Sequence, residues 1–595
     1  MFKNISLVIK KINSNIILTF SLGSILGLFI FYLIYGFEIV RFTNVNWLYH
    51  SDDLEGIWDL TQHHMGWVFF RNSDWTFPIG LTSGIASESI SVTYTDSIPL
   101  FAIFFKILSP FLPTNFQYIG LFELITYMFI GGFGAIIAFK YNKNICNNLL
   151  ISCFFIISPI LTKRAFYHTA LSAHWLILAA FCLCIYKSAL NSKTSIILWS
   201  LLCGLSVTIN PYYTPMIIGI MLCDCLYLIL SKHLLFQCFI KLLSCSLITL
   251  LICFINGFFV GSVSSSSAGL ELLSANLNTL INPMDKHLHI PEPLCFIFTD
   301  NNYSSIFTGL PYGIDWQEEG FAYLGLGFII LSIGCFILIV YNCYEKKIKP
   351  SNINLKILLP VLIGFVVFSA LAIGPVCYIN SICIYKINWP TTIYNLLSIF
   401  RSEGRFIWPV HYGLMALVVI LLSIIIKSKY KYSILLSVCL LVQLFDLYPS
   451  LTFKHSIYNH IEYSTETDFD DYYFSTDIWD YIGQNIDEII FDAPTDTNIC
   501  INPALSCNFE IFASKYNINL SASYCSRPIY ISADKYLNQC LDARACGHTN
   551  KKQLFILHEK SNTSIYKSLG FNLYSIDGLT IATELNLSSF FNTPS

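Results

Sequence analysis

The sequence predicts a polytopic α-helical membrane protein with a large first loop outside the membrane and a small α/β domain at its C-terminus. The first observation is composition: of the 595 residues, 55% are hydrophobic and only 12% are charged, about half the charge of a typical soluble chain. The mean hydropathy is +0.60. The second is a series of long apolar runs, and the third is a fall in hydropathy after residue 448.

Charge and cysteine content exclude two further classes of protein. The formal net charge is -3, whereas a nucleic-acid-binding protein normally presents a basic face. We therefore expect no nucleic-acid partner. Most of the 21 cysteines lie in apolar runs, and no CxxC pair has metal spacing, so structural zinc is not expected.

The apolar runs are long enough to cross a bilayer, which requires about 17 to 25 residues. The first of them is longer than the core of a signal peptide and no small-residue cleavage motif follows it, so we expect it to be retained. The eleven predicted spans are residues 15–37, 116–139, 146–161, 169–187, 194–210, 214–231, 240–260, 321–342, 356–374, 405–427 and 432–448.

The apolar run at residues 100–113 differs from the others because it is short. It carries Lys106 and is closed by Pro110 and Pro113, which is typical of an interfacial or re-entrant segment. If it does not span and the N-terminus is cytoplasmic, 16 of the 34 basic residues fall in six short inside segments. This distribution follows the positive-inside rule.

That topology places four polar regions on the outer face: residues 38–115, 261–320, 375–404 and everything after about 449. The last region, 449–595, reads as a soluble α/β domain. Strands are predicted at 488–494 and 553–559, a helix at 532–545 and a closing hairpin at 570–584. In an oxidising compartment, Cys540 with Cys546 and Cys500 with Cys507 are candidate disulfides.

Residues 50–99 in the first loop gather the densest charge. Asp59 and His63 are four apart, so on a helix they share a face and suit a general base and its orienter. The alternative is that Asp59 caps a juxtamembrane helix and the histidine lies at a wet interface. Asp96 precedes a proline-broken helix, where an N-cap is the alternative to a catalytic role. Asp52 and Asp53 form a tandem acidic pair.

Basic and imidazole side chains also occur at the outer ends of two later spans, against the positive-inside bias. An anionic ligand such as a lipid phosphate explains this placement, and snorkelling to lipid headgroups is the alternative. Arginine is suited to bidentate phosphate recognition. The residues are Lys163, Arg164, His168, His174, Arg401 and Arg405.

Carboxylates accompany these spans. Glu123 lies inside the second span, where an ionisable residue is a functional candidate, although its position near the rim also allows it to reach water. Glu318 and Glu319 stand just ahead of the span that begins at residue 321 and are expected to face the same cavity.

Six segments, taken together, resemble the GT-C superfamily of integral-membrane glycosyltransferases, and more closely a bacterial branch of it. They span residues 59–409, which is the membrane part only. In chain order the segments are DLTQHHMGWVFFRNSDWTFPIG, YTDSIPLFAIFFKILSPFLP, LTKRAFYHTALSAHW, NPYYTPM, EGFAYLGLG and RSEGRFIWP.

The resemblance implies a GT-C-like fold in the bacterial inner membrane, with a catalytic aspartate in the first outer loop. The resemblance also implies that the sugar donor is a polyprenyl-phosphate or polyprenyl-pyrophosphate sugar and that the acceptor is a glycan, a lipid or a protein. Asp59 is the best match for the base, and His63 and Arg71 belong to the same motif. Asp52 and Asp53 are a departure from the family pattern. They follow the first span directly, where many such enzymes keep their base, so the resemblance leaves open whether Asp59 or one of this pair is the base.

The charge of the remaining candidates, and not the resemblance, suggests the rest of the site. A donor-phosphate or substrate role falls to Arg71, to the basic and imidazole residues named above and to Glu319. No cofactor is required by the motifs. Members of the superfamily differ in whether they use a divalent metal such as Mg or Mn, and no carboxylate cluster in the sequence decides between them.

Two other functions fit a multi-span chain with aromatic and basic residues at one face. One is a transporter or flippase of lipid-linked sugars, and the other is a non-catalytic assembly protein for surface polysaccharide. The large outer loop, the outer α/β domain and the lack of inverted repeats in the sequence favour the enzyme over the transporter.

Overall fold

The structure, a computed structural model, describes residues 14–49, 58–260, 270–285, 302–345, 354–465, 474, 476–492, 503–526, 530–548 and 551–591. The chain divides into two compact units. The first unit is formed by Met1–Arg41, Ile119–Leu251 and Ser266–Glu462, and the second by Phe42–Tyr118, Ile252–Ser265 and Tyr463–Ser595.

Helices account for most of the described chain, as the apolar composition predicts. In chain order the α-helices are α1 Ser14–Tyr35, α2 Asp59–Asn72, α3 Pro99–Ile107, α4 Ile119–Ile137, α5 Ile145–Ile156, α6 Pro159–Arg164, α7 Trp175–Tyr186, α8 Ser192–Ile209, α9 Tyr213–Lys232, α10 Leu235–Ile255, α11 Leu326–Tyr344, α12 Leu355–Ile373, α13 Thr391–Leu397, α14 Trp408–Ile425, α15 Lys429–Tyr458, α16 Asp477–Asn485, α17 Pro503–Tyr516, α18 Tyr530–Ala545, α19 Thr563–Ser568 and α20 Ser588–Phe591.

The strands within the described residues are short and form three sheets. In chain order they are β1 Leu81–Thr82, β2 Ile90–Ser91, β3 Val376–Ile379, β4 Ile382–Lys386, β5 Glu488–Asp492, β6 Asn519–Leu520, β7 Gln553–Leu557, β8 Asn572–Ile576 and β9 Leu579–Thr583.

Ten helices of the described chain are long and apolar enough to cross a membrane: α1, α4, α7 to α12, α14 and α15, with α7 and α14 extended by 3₁₀ turns to Thr169–Ala189 and Glu403–Ile425. They correspond to ten of the eleven predicted spans, and the chain is a multi-pass membrane protein.

The predicted span at residues 146–161 is wrong as an uninterrupted helix. Helix α5 has 12 residues, and a separate helix begins at Pro159. The reason is local: a residue before proline is pushed out of the helical region, and Ser158 has an extended backbone with ψ 129°.

The apolar run at 100–113 forms helix α3, which has only nine residues, followed by a 3₁₀ turn at Ser109–Phe111. Nine residues rise by about 14 Å as a helix. This length is roughly half of the hydrocarbon core, so the segment does not cross it as a helix.

In the first unit, α1 and α4 pack through glycines. A side chain at Gly27 would overlap the carbonyl oxygen of Tyr127, and one at Gly23 would overlap that of Gly131. Gly23 and Gly27 form a Gly-x-x-x-Gly pair, which lets two helix backbones approach closely in a membrane protein. The hydroxyls of Tyr35 and Tyr127 add a buried hydrogen bond of 2.9 Å between the same two helices.

The second unit contains a five-stranded mixed sheet with strand order β6-β5-β7-β9-β8. Strand β5 pairs in parallel with β6 and β7, whereas β9 is antiparallel to β7 and to β8. The two predicted strands, the helix between them and the closing hairpin are all present in this region.

The boundary of this unit differs from the predicted division at residues 448 and 449. Helix α15 continues through that point to Tyr458, and the compact units divide at Glu462. Much of the first loop also belongs to the second unit, because Phe69 and Ile85 share a hydrophobic core with Ile489 and Phe512.

The predicted disulfide between Cys540 and Cys546 is wrong. Cys540 is buried in α18 and Cys546 is exposed beyond its end, and neither is oxidised to a disulfide. Cys500 lies outside the described residues, so the alternative bridge to Cys507 is untested.

The glycine contact between α1 and α4 generates a stability prediction. Gly27→Ala forces the two helices apart and is expected to lower the melting temperature of the detergent-solubilised protein, at a cost of about 1–3 kcal/mol. Gly334→Ala in α11 is the matched control, because a Cβ there would meet nothing within 4 Å. Equal melting temperatures for the two variants would refute a close α1–α4 contact.

Candidate functional site

The first unit brings together residues from four of the six segments quoted above. Arg164, Tyr212, Glu319 and Arg405 come from separate stretches of sequence and contact one another. We call Arg164, Glu319 and Arg405 the arginine–glutamate cluster.

Both guanidinium groups converge on one carboxylate. The Nη2 atom of Arg164 lies 3.0 Å from Oε2 of Glu319, and its Nη1 atom lies 3.3 Å from Oε1. Arg405 reaches the same Oε2 with Nη2 at 2.9 Å and Nε at 3.0 Å. The side chain of Arg164 is 2% exposed, while those of Glu319 and Arg405 are 14% and 12% exposed. One edge of the cluster is therefore accessible.

Aromatic rings fix the orientation of the two arginines. The guanidinium of Arg164 lies 5.5 Å from the ring centre of Trp408, and that of Arg405 lies 4.7 Å from the ring centre of Tyr212. The hydroxyl of Tyr212 in turn accepts the backbone N–H of Ser402 at 2.7 Å. These cation–π contacts hold planar groups in a defined direction.

Two glycines explain why Glu319 and Arg405 meet. Glu319 lies in the 3₁₀ turn Gln317–Gly320, and Arg405 lies in the 3₁₀ turn Glu403–Ile407. A Cβ at Gly404 would lie 2.8 Å from Cα of Gly320 and 2.6 Å from the carbonyl oxygen of Leu273. Only glycine allows these backbones to approach so closely. Gly320 and Gly404, which directly follow Glu319 and Glu403, are therefore needed for this packing contact.

The cluster keeps a net positive charge. Burial by itself raises the pKa of the Glu319 carboxyl, but the guanidiniums of Arg164 and Arg405 outweigh it and hold that pKa well below its usual range. Glu319 is therefore ionised at neutral pH. One carboxylate against two guanidiniums leaves a formal charge of about +1.

Lys163 is next to Arg164 in sequence but has a different partner. Its ammonium forms an ion pair with Asp285 at 2.8 Å, and both side chains are almost fully buried, at 3% and 5% exposed. It also contacts the backbone oxygen of Glu318 at 3.4 Å. Lys163 is thus neutralised by a residue that no motif in the sequence indicates.

The other basic candidates are distributed around the cluster. His168 accepts an N–H of Arg164 at 3.3 Å. His174 is buried, with Nδ1 2.9 Å from the hydroxyl of Tyr412 and its ring centre 4.6 Å from that of Trp408. Arg401 is exposed and makes no hydrogen bond or ion pair within the described ranges, so we place it outside the cluster.

Glu123 supports the turn that follows Arg164. It is fully buried in α4, and its carboxylate accepts the backbone N–H of Phe166 at 3.4 Å. Phe166 has φ 62°, a conformation that non-glycine residues rarely adopt. The intramembrane carboxylate thus stabilises a strained turn between Arg164 and His168.

The second unit holds the aspartate candidates. Asp59 is the first residue of α2, and Trp58 occupies the N-cap position, so Asp59 is not the helix cap. Asp59 and His63 are 7% and 3% exposed. One turn further on, Gly66 packs against Thr95 and Ser97.

This packing joins the first two quoted segments. The hydroxyl of Ser97 donates to the backbone oxygen of His63 at 2.7 Å. Asp96 ends the 3₁₀ helix Val92–Thr95 with φ 54°, and Ile98 precedes helix α3. The N-cap interpretation of Asp96 is therefore wrong, because Pro99 starts the helix two residues later than a cap at Asp96 requires.

Asp52 and Asp53, the other candidates for the base, lie outside the described residues. Within the ranges that the structure describes, no three His, Cys, Asp or Glu residues come together as metal ligands.

Arg71 is not available to a phosphate, in contrast to the expectation from its motif. Its Nε and both Nη atoms make five hydrogen bonds, to the side chain of Ser109 and to the backbone oxygens of Ser109, Leu112, Pro113 and Thr114, at 2.7–3.2 Å. A guanidinium has five N–H donors, so all of them are used. We reassign Arg71 to holding the turn after α3.

His64 is a second structural residue of α2. Its Nε2–H donates to the backbone oxygen of Phe116 at 3.2 Å, and its Nδ1 accepts the hydroxyl of Tyr49 at 2.9 Å. Burial lowers the pKa of its imidazole to about 4. The neutral ring links α2 to two other segments of the second unit.

The ten apolar helices place the chain in the class of multi-pass membrane proteins. Residues 24–448 match a family model described as a domain of unknown function, DUF6311. The match covers more than half of the chain, which therefore belongs to this family. It includes all six quoted segments. No curated protein matches the sequence.

The role of Arg71 generates a stability prediction. Arg71→Lys replaces five donors by three and is expected to destabilise the second unit by on the order of 2 kcal/mol, measured by thermal unfolding in detergent. Arg544→Lys is the control, since Arg544 faces one carboxylate, that of Glu584. If Arg71→Lys melts like the parent protein, the turn does not depend on this arginine.

The buried His64 generates a pH prediction. The unfolded imidazole titrates near pH 6.5 and the folded one at about 4, so the unfolded state binds more protons between these values. Stability is expected to fall by up to about 3 kcal/mol as pH is lowered from 6.5 to 4. The melting temperature of His64→Gln should not show this fall between pH 6.5 and 4. The melting temperature of His548→Gln, which is changed at an exposed position, should still show it. An unchanged pH profile in His64→Gln would contradict the assignment.

Proposed function

We propose that this protein is a membrane glycosyltransferase that moves a sugar from a polyprenyl-phosphate or polyprenyl-pyrophosphate donor to a glycan, lipid or protein acceptor. The observation that carries the proposal is the arginine–glutamate cluster, where two guanidiniums from separate motifs converge on one anionic group. A phosphate accepts the same charge-assisted hydrogen bonds as a carboxylate. We assign Arg164 and Arg405 to the donor phosphate.

The reaction requires a base as well as a stabilised leaving group. Asp59 is the residue that best matches the base in the resemblance to GT-C enzymes, and we assign it this role. It removes a proton from an acceptor hydroxyl or amide, whose oxygen or nitrogen attacks the anomeric carbon. The bond between that carbon and the phosphate oxygen breaks, and the phosphate leaves with the electron pair, stabilised by the arginines.

The topology that we propose follows from the distribution of lysines. The N-terminus lies in the cytoplasm of a bacterium, and the region after about residue 449 lies outside the inner membrane. Ends on opposite sides require an odd number of crossings, so this topology assigns an eleventh crossing to α5 and α6 together, residues 145–164, in addition to the ten apolar helices. The transfer then takes place on the outer side. Membrane lipid surrounds the ten apolar helices, so a polyprenyl donor reaches the protein from within the bilayer.

The phosphate assignment is tested by photo-crosslinking the purified protein in lipid nanodiscs with a diazirine-bearing polyprenyl phosphate. Arg405→Gln removes one of the two guanidiniums and is expected to reduce crosslinking at least tenfold. Arg41→Gln is the control, because Arg41 is an arginine of the same unit with a side chain that is 56% exposed and paired with Glu38. Equal crosslinking in both variants would contradict the proposal.

The base assignment is tested by the release of free polyprenyl phosphate from a panel of polyprenyl-phosphate hexoses, measured by mass spectrometry. Asp59→Asn is expected to lower the rate by about 10²–10⁴-fold while crosslinking stays unchanged. Asp74→Asn, at an exposed position of the same loop, should keep the parent rate. A parent protein that crosslinks the lipid but never releases polyprenyl phosphate would favour transport or assembly over transfer.

A further inference from the structure

We propose that Glu319 is an internal competitor of the donor: its carboxylate occupies the place of the lipid phosphate between Arg164 and Arg405 and rotates away when the phosphate binds. This inference rests on the proposed function, because it concerns the same two arginines. It gives Glu319 a regulatory role that a simple phosphate-binding residue does not have.

The first argument is the way in which Glu319 uses the arginines. Its Oε2 atom receives three N–H groups, from Nη2 of Arg164 and from Nε and Nη2 of Arg405, at 2.9–3.0 Å. Its Oε1 atom receives a fourth from Arg164 at 3.3 Å. Forked donors in this arrangement suit a phosphate as well as a carboxylate. An incoming phosphate must take these donors from Glu319.

The second argument is that the backbone of Glu319 is fixed on both sides. The side chain of Gln317 binds Ser274 and Asn276 at 3.1 Å each. On the other side, a Cβ at Gly320 would lie 2.5 Å from Cα of Ala275. The 3₁₀ turn is therefore held against neighbouring backbone.

The third argument is that the arginines keep support when the carboxylate leaves. Nη2 of Arg164 also donates to the backbone oxygen of Glu319 at 3.1 Å, and Trp408 and Tyr212 face the two guanidiniums. The side chain of Glu319 is 14% exposed. Displacement therefore needs only a side-chain rotation toward the accessible edge, with no movement of the turn.

Charge decides the direction of the exchange. The lipid phosphate of a polyprenyl-phosphate sugar is a diester with about the charge of one carboxylate, whereas the polyprenyl phosphate that forms as the sugar leaves, and that serves as the probe below, is a monoester with more negative charge and three acceptor oxygens. Two anions held side by side between the same guanidiniums would repel each other, so the phosphate and Glu319 exclude each other. The alternative is that Glu319 positions the arginines for the phosphate, and this alternative predicts the opposite effect of removing its charge.

The test compares the affinity of the full-length protein and of Glu319→Gln for polyprenyl phosphate in nanodiscs, measured as the concentration that half-saturates crosslinking. Glu319→Gln removes the competing charge and keeps the size of the side chain, so it is expected to bind at least fivefold more tightly. Glu462→Gln, at an exposed position of the same unit, should bind like the parent. Inorganic phosphate as a competitor distinguishes recognition of the phosphate alone from recognition of the lipid.

The outcomes separate the two proposals. If the parent binds and Glu319→Gln binds equally or more weakly, the competitor role is wrong and the donor assignment stands. If neither protein binds polyprenyl phosphate, both are wrong.

Thermal unfolding gives a second readout in case the unpaired arginines destabilise the variant. Polyprenyl phosphate should then raise the melting temperature of Glu319→Gln more than that of the parent. An equal or smaller rise would overturn the competitor role.

Discussion

The site in the first unit depends on one constraint. Two positively charged arginines are almost completely buried there. A buried guanidinium is costly unless an anion and hydrogen bonds compensate it. Glu319 supplies that anion to Arg164 and Arg405 at once, and Asp285 does the same for Lys163. In our proposal, a lipid phosphate takes the place of Glu319 as the anion that compensates Arg164 and Arg405.

This compensation is possible because backbone geometry brings the partners together. The close approach of Gly404 to Gly320 sets the distance between the two 3₁₀ turns, and the strained turn at Phe166, which Glu123 supports, presents Arg164. Arg71 shows the contrast. Its guanidinium is saturated by the turn after α3, so the same residue type serves structure in one place and an anion site in the other.

The second unit is stabilised by a core that residues far apart in sequence build together. Phe69 and Ile90 from the first loop pack in one cluster with Ile489 and Leu554 from the sheet. The helix that begins at Asp59 is therefore positioned by the C-terminal region. A change in the hydrophobic core of that region is expected to affect the aspartate as well as the stability of the unit.

The sequence by itself determined the features that depend on local hydropathy and turn chemistry: ten apolar helices, the short helix at 99–107, the strands β5 and β7 and the hairpin of β8 and β9. It also drew attention to Arg164, Glu319 and Arg405 through their motifs. Only the tertiary structure decided which charges meet, because Glu319 lies 155 residues from Arg164 and 86 from Arg405. Hydropathy and spacing carry no information on such distant pairs, nor on the saturation of Arg71, since both depend on how the helices and turns pack.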